Sequence, residues 1–216
     1  MNSRITTIIL GIAWAGSICF LLWSFPLHFP GNREGYEPLQ PIAYSHRLHA
    51  GELGMRCLYC HFGAERSRHA GIPPAAVCLN CHRYVTAPWA EIRAEAEAAT
   101  AEGRAPRLVV SEELQKLYAA VGFSPERPRG TPGEPQPLAW NKVHALPDFV
   151  FFDHRPHVAA GVVCQRCHGP VESMERVRQV EDLSMGWCVN CHRQVNAEGV
   201  NGRVVQASLD CAACHY

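Results

Sequence analysis

The chain has 216 residues, and its 20 Lys and Arg are balanced by 20 Asp and Glu, so the formal net charge is zero. That balance leaves no electrostatic footprint for nucleic acid. Sixteen Pro and 17 Gly accompany little sustained helical or strand periodicity, which predicts a mainly irregular and α-helical chain with low secondary structure.

Residues 5–25 form a 21-residue stretch without a charge. About 20 apolar residues cross a bilayer as a helix. Arg4 precedes the stretch, which favours a cytoplasmic N-terminus, and Trp23 near its end suits the membrane interface. His28, just beyond, reads as interfacial. A cleaved signal peptide is the competing reading, since Ala13-Trp14-Ala15 resembles a cleavage site; the apolar run nevertheless continues ten residues past it. The expectation is one N-terminal transmembrane signal-anchor within residues 1–30. Gly11, Ala15 and Cys19 recur at i, i+4 and i+8, a stripe that fits packing against another membrane helix or an anchor standing alone.

Residues 40–87 carry a repeated unit. Tyr44-Ser45-His46-Arg47-Leu48-His49 is followed after seven residues by a Cys-x-x-Cys-His motif (Cys57, Cys60, His61), and after sixteen more by another (Cys78, Cys81, His82). Residues 88–140 contain no such motif. Residues 88–103 are rich in Ala and Glu and predict a helix, with Pro88 suited to its first turn and Gly103 to its stop. Ser111 before Glu112, Glu113 and Leu114 starts a second helix, ending about Val121. Residues 124–137 hold five prolines and predict an exposed loop. This insertion either meets a partner or covers cofactor edges.

Residues 141–216 restate the first unit. Phe152-Asp153-His154-Arg155-Pro156-His157 precedes a motif at Cys164, Cys167 and His168 by six residues, and a further motif at Cys188, Cys191 and His192 follows after nineteen. Cys78-Leu79-Asn80-Cys81-His82-Arg83 matches Cys188-Val189-Asn190-Cys191-His192-Arg193. A fifth motif, Cys211, Cys214 and His215, ends the chain. The pattern is that of a duplicated two-motif unit with one motif added.

Cys-x-x-Cys-His is the attachment signature of c-type haem: two thiols form thioethers with the vinyl groups, and the histidine binds the iron. Every Cys-x-x-Cys here is followed by His, and ten of the eleven cysteines are used. Zinc sites pair two cysteine knuckles, and five would leave one over. Iron–sulfur spacing clusters its cysteines without requiring the histidine. Disulfides fit a secreted chain, but this spacing is redox-active more than structural. The reading is a multihaem cytochrome with five covalently bound haem c. Five haems in the 176 residues past Gln40 leave each about 35 residues of cover, so the core is expected to be haem-based. Covalent attachment occurs outside the cytoplasm, which places the haem domain on the periplasmic side.

His61, His82, His168, His192 and His215 supply one axial ligand each. His46, His49, His154 and His157 are candidates for the second, because i and i+3 on one helical turn lie close enough to serve two neighbouring haems. His144 is the candidate that completes five pairs. Met185, Met174 and His69 compete for single positions, and Met/His ligation would raise the potential relative to His/His. Arg83 and Arg193 are placed to pair with propionates. Pentahaem nitrite reductases share the haem count, but their catalytic haem uses a Cys-x-x-Cys-Lys motif, and neither Lys116 nor Lys142 follows a cysteine pair. With all irons ligated, one-electron transfer is the chemistry that remains.

The chain resembles the pentahaem cytochrome c subunit (ActA type) of alternative complex III, and more distantly the class III multihaem cytochromes. The resemblance is carried by the N-terminal anchor, residues 44–51, residues 57–61, Ala70-Gly71-Ile72-Pro73-Pro74, residues 140–144, residues 146–154, Gly169-Pro170-Val171-Glu172 and Met185-Gly186-Trp187-Cys188, covering most of the chain outside 90–135. It implies an electron-relay subunit of a quinol:electron-acceptor oxidoreductase in a bacterial inner membrane. It also implies integral membrane subunits and an iron–sulfur subunit as partners, and a monohaem cytochrome c or a terminal oxidase as acceptor. The alternatives are a stand-alone quinol dehydrogenase of the NapC/NrfH kind or an anchored electron shuttle. Against the former stand the different haem spacing and the Pro-containing residues 25–41 between anchor and first motif.

Overall fold

The computed structural model describes residues 3–24, 33–127 and 133–216. His28 and part of the Pro-containing approach to the first motif lie outside the described residues, as do residues 128–132 of the second Pro-rich loop. Among the described residues there are short helices and irregular chain, and no strand beyond the isolated bridges Val150–His215 and Val200–Arg203.

Helix α1 (Ser3–Ser24) is the one described helix long and apolar enough to cross a membrane, and none of its apolar window is buried against the rest of the chain. Length and composition permit a membrane span and equally a signal sequence.

The remaining helices are small. In the first unit, a π-helical turn (Arg47–Glu52) carries His49 and follows His46; α2 (Cys57–Cys60), α3 (Gly63–Arg66) and α4 (Leu79–His82) come next. In the insertion, α5 (Trp89–Ala101) begins after Pro88, and α6 (Glu112–Val121) begins after Ser111, as the sequence predicts. Gly103 (φ +66°) and Gly122 (φ +66°) end them in the left-handed region that favours glycine. The second unit has α7 (His154–Ala160), α8 (Gln165–His168) and α9 (Met185–Glu198). Pro156 lies in the first turn of α7, where its missing N–H costs nothing.

The insertion is no separate appendage. Leu117 and Tyr118 of α6 are buried with Ile42 and Leu79 of the first unit, and Val110, Leu114, Phe123 and Trp140 pack around them. The Tyr118 hydroxyl donates to the His82 carbonyl at 2.5 Å, and the Ala43 N–H donates to the Glu113 carboxylate at 2.6 Å. Helix α6 therefore braces both ends of the first two-motif unit.

The two units interlock. The π-helical turn packs on residues 171–173, where a Cβ on Gly51 would strike the Glu172 carbonyl. Arg47 donates through its backbone N–H to the Met174 carbonyl at 2.9 Å and through its guanidinium to Glu175 at 2.5 Å. Helix α3 packs against α7.

Candidate haem sites

Each Cys-x-x-Cys-His motif sits on a helical turn, which puts cysteines three apart on one face. The histidine N–H closes back on the first cysteine carbonyl: His61 to Cys57 at 2.9 Å, His82 to Cys78 at 2.9 Å, His168 to Cys164 at 3.1 Å and His215 to Cys211 at 2.9 Å. No two of the eleven cysteines, all of them among the described residues, are joined in a disulfide.

The histidines pair. His46 faces His61 with ring centroids 6.4 Å apart and planes 7° from parallel; His154 faces His168 at 6.4 Å and 6°. His49 faces His82 at 6.0 Å, and His157 faces His192 at 6.1 Å. Two imidazoles that bind one metal from opposite sides, with bonds of about 2 Å, hold their centroids slightly more than 6 Å apart. These four pairs fit an axially ligated haem iron. In each His-x-x-His turn, the first histidine meets the first motif of its unit and the second meets the second.

The Nδ1 atoms are committed elsewhere. His61 donates from Nδ1 to the Gly71 carbonyl at 2.7 Å, His82 to Val85 at 2.9 Å and His192 to Ser208 at 2.6 Å. On the opposite side, His49 donates to Ser45 at 2.9 Å, His157 to Asp153 at 2.8 Å and His154 to Arg68 at 2.8 Å. Such bonds fix the tautomer that leaves Nε2 as the ligand. Nδ1 of His46 is buried with no partner. Burial pushes His46 down to about 4, with His61 and His49 adding to the effect, and pushes His168 down to about 3. Neutral imidazole is the ligating form.

An aromatic ring sits between the histidines of each turn. Tyr44 lies edge-on to His46 at 4.8 Å and stacks on His49 at 4.4 Å; Phe152 does the same to His154 and His157, each at 4.8 Å. The sequence reading passed over these rings. The repeat contained the signal, an aromatic two positions before each His-x-x-His.

Thiol neighbours order the motifs in space. Burial raises the Cys78 thiol, and Cys60 raises it further. Burial likewise raises Cys164, with Cys57 beside it and in hydrogen-bonding reach. Cys167 is pushed up to about 11 by burial and then by Cys191 and Cys188, and Cys188 is raised by burial and then by Cys214. The order of neighbours is second, first, third, fourth, fifth motif.

His144 is brought to His168, not to His215: its Nε2 lies 3.3 Å from His168 Nδ1. Among the described residues the ring facing His215 is Phe149, at 5.8 Å. The cause is local. Val150 N–H closes a turn on the Pro147 carbonyl, and Phe151 N–H then bonds the Cys214 carbonyl, which lays residues 149–151 along the fifth motif. Met185 is 69% exposed, His69 is exposed, and Met174 is buried beneath the π-helical turn.

Residues 150–216 match the family model of cytochrome c7 and related cytochrome c. The match implies covalently bound c-type haem in this segment, where three of the five motifs lie. The chain is also similar to the protein described as menaquinone reductase, multihaem cytochrome c subunit, of Nitratidesulfovibrio vulgaris (strain Hildenborough). The two are 25% identical over 219 residues, covering 92% of this chain and 85% of that one. Both comparisons are to c-type cytochromes, and the paired histidines are what such a chain needs around its irons.

Proposed function

We propose that this chain is a membrane-anchored pentahaem c-type cytochrome that relays electrons within a quinol:electron-acceptor oxidoreductase of the alternative complex III kind. Residues 1–30 are the anchor, 40–87 a dihaem module, 88–140 a haem-free insertion and 141–216 a trihaem module. The four histidine pairs at 6.0–6.4 Å carry the reading, because they would hold four of the five irons from both sides, an arrangement suited to electron transfer. Bound haem supplies reversible one-electron chemistry at iron. The polypeptide holds the imidazoles in one tautomer, buries them and sets motif next to motif, so the path is linear, ending at the second and fifth motifs. The menaquinone-linked description of the relative supports a quinone-coupled partner. The haem domain faces the periplasm of a bacterial inner membrane. Integral membrane subunits and an iron–sulfur subunit are its partners, with a monohaem cytochrome or an oxidase as acceptor.

That same description favours a second reading, in which electrons run towards the quinone pool. The deciding experiment is the native mass and subunit content of the red, haem-staining species after mild detergent extraction. A large assembly with iron–sulfur and polytopic subunits is expected. A species of monomer or dimer mass would point to a shuttle or a stand-alone quinol dehydrogenase. Adding quinol, and separately a reduced cytochrome with quinone, to the extracted assembly distinguishes the two directions.

A further inference from the structure

Three motif histidines, His61, His82 and His192, anchor Nδ1 on a backbone carbonyl at 2.6–2.9 Å. His168 differs. Its Nδ1 meets the Nε2 of His144 at 3.3 Å, with the rings 81° apart and 4.4 Å between centroids. His154 faces the same ring with centroids 6.4 Å apart and planes 6° from parallel, the spacing of two imidazoles on one metal. His144 is thus placed behind a ligand, and its Nε2, the atom that would bind iron, is engaged with the ring of His168.

We infer that His144 is a positioning residue for the third haem, with its Nε2 lone pair accepting the Nδ1–H of His168 where His61, His82 and His192 use a carbonyl. This deepens the electron-relay reading and rests on it. The acceptor fixes the tautomer of His168 and the plane of its ring. It also draws on the Nδ1–H bond, which makes Nε2 a stronger donor. Stronger donation favours the oxidised iron and lowers the potential. The third motif has the first and the fourth as neighbours, Cys57 within hydrogen-bonding reach of Cys164 and Cys191 near Cys167, so this hydrogen bond tunes the middle of the line.

The test compares His144→Phe, which fills the space without an acceptor, with His144→Gln, whose side-chain carbonyl can accept. Both are made in the full chain, extracted in its native assembly. Haem content, the spin states by electron paramagnetic resonance and the midpoint potentials by optical titration are measured. The expected result in His144→Phe is five haems, the wild-type set of spin states and one haem moved to higher potential. At a fixed applied potential its reduced-to-oxidised ratio rises about two- to tenfold, the range set by one hydrogen bond. Tenfold corresponds to 59 mV for a one-electron couple. His144→Gln moves less. A new high-spin iron in either variant overturns the inference and makes His144 a ligand itself. Equal shifts in both variants, or none, overturn it in favour of packing. Should the Phe variant lose haem, His144→Leu takes its place: a potential displaced further than that of His144→Gln, with unchanged spin states, upholds the inference, and anything else overturns it. A wild-type chain without c-type absorption would instead remove the relay reading beneath it.

Discussion

In residues 88–140, Ala99, Leu117, Tyr118 and Ala120 are buried, and Leu117 and Tyr118 pack with Ile42 and Leu79 of the preceding unit; in residues 141–216, Met174 is the buried apolar side chain among those described. The two regions meet the cost of ordering a chain differently. The insertion does it with side chains, each buried Leu contributing roughly 1.5–3 kcal/mol. The C-terminal region has three haem motifs and almost no apolar interior of its own, so under the proposed function the porphyrins supply the surface it packs on. The first unit stands between these cases, with two motifs and a brace from α6.

The largest effect should come from removing cofactor where the polypeptide has no core. A Cys164→Ala/Cys167→Ala chain loses the attachment point of the third motif, which neighbours the first and fourth. Limited proteolysis of this variant should cut throughout residues 141–216 while α5 and α6 stay protected. Cleavage first within residues 88–127 would reverse the comparison.

The converse substitution attacks the conventional core. Leu117→Ala removes a side chain that is 3% exposed, at a cost of about 2–5 kcal/mol. Because Tyr118 and Glu113 tie α6 to His82 and Ala43, the loss should spread to the first unit. Hydrogen exchange should quicken in residues 40–127 and leave α7 to α9 close to wild type. Uniform quickening across the chain would mean that the two regions share one cooperative core.

This division also explains what could be read in the sequence. The candidate attachment motifs were legible because covalent haem chemistry needs Cys, Cys and His at fixed spacing, and the structure sets each of them on a helical turn. The His-x-x-His turns were legible for the same reason: i and i+3 share a face. The insertion helices were legible from Pro88, Gly103 and Ser111. The place of His144 was not, because it depends on the turn at residues 147–150 and on the bond from Phe151 to Cys214, contacts across 63 residues that no local pattern encodes. The bracing role of α6 was hidden likewise, since Leu117 and Tyr118 read as an ordinary helix face until Ile42 and Leu79 meet them. The order of the motifs needs the meeting of Cys57 with Cys164, which belongs to tertiary structure alone.

The smallest expected effect is an acid one, and it separates the regions again. Glu95 of α5 is held down to about 2, first by its hydrogen bond from the Arg104 guanidinium and then by the Arg107 N–H at 2.8 Å. Asp153, which caps α7 by accepting from the Arg155 N–H at 2.9 Å, is held down to about 2 mainly by the Arg155 side chain. Both carboxyls are depressed in the folded chain, so each stabilises it when ionised. That contribution is complete above the ordinary carboxylate value of roughly 4 and is lost as pH falls towards 2. Both groups face solvent, so the contributions are small and weaken with salt. The clasp from Glu95 to the Arg104 guanidinium and the Arg107 N–H is held within the polypeptide, whereas α7 presents His154 and His157 to their partner imidazoles. Between pH 4 and pH 2, amide exchange should therefore quicken first at residues 95–107 and later at α7. Glu95→Gln should abolish the pH dependence of the former without changing the latter. Equal loosening of both segments at one pH would show that iron ligation contributes nothing to holding α7, and the contrast between a side-chain core and a cofactor core would then fail at its most local point.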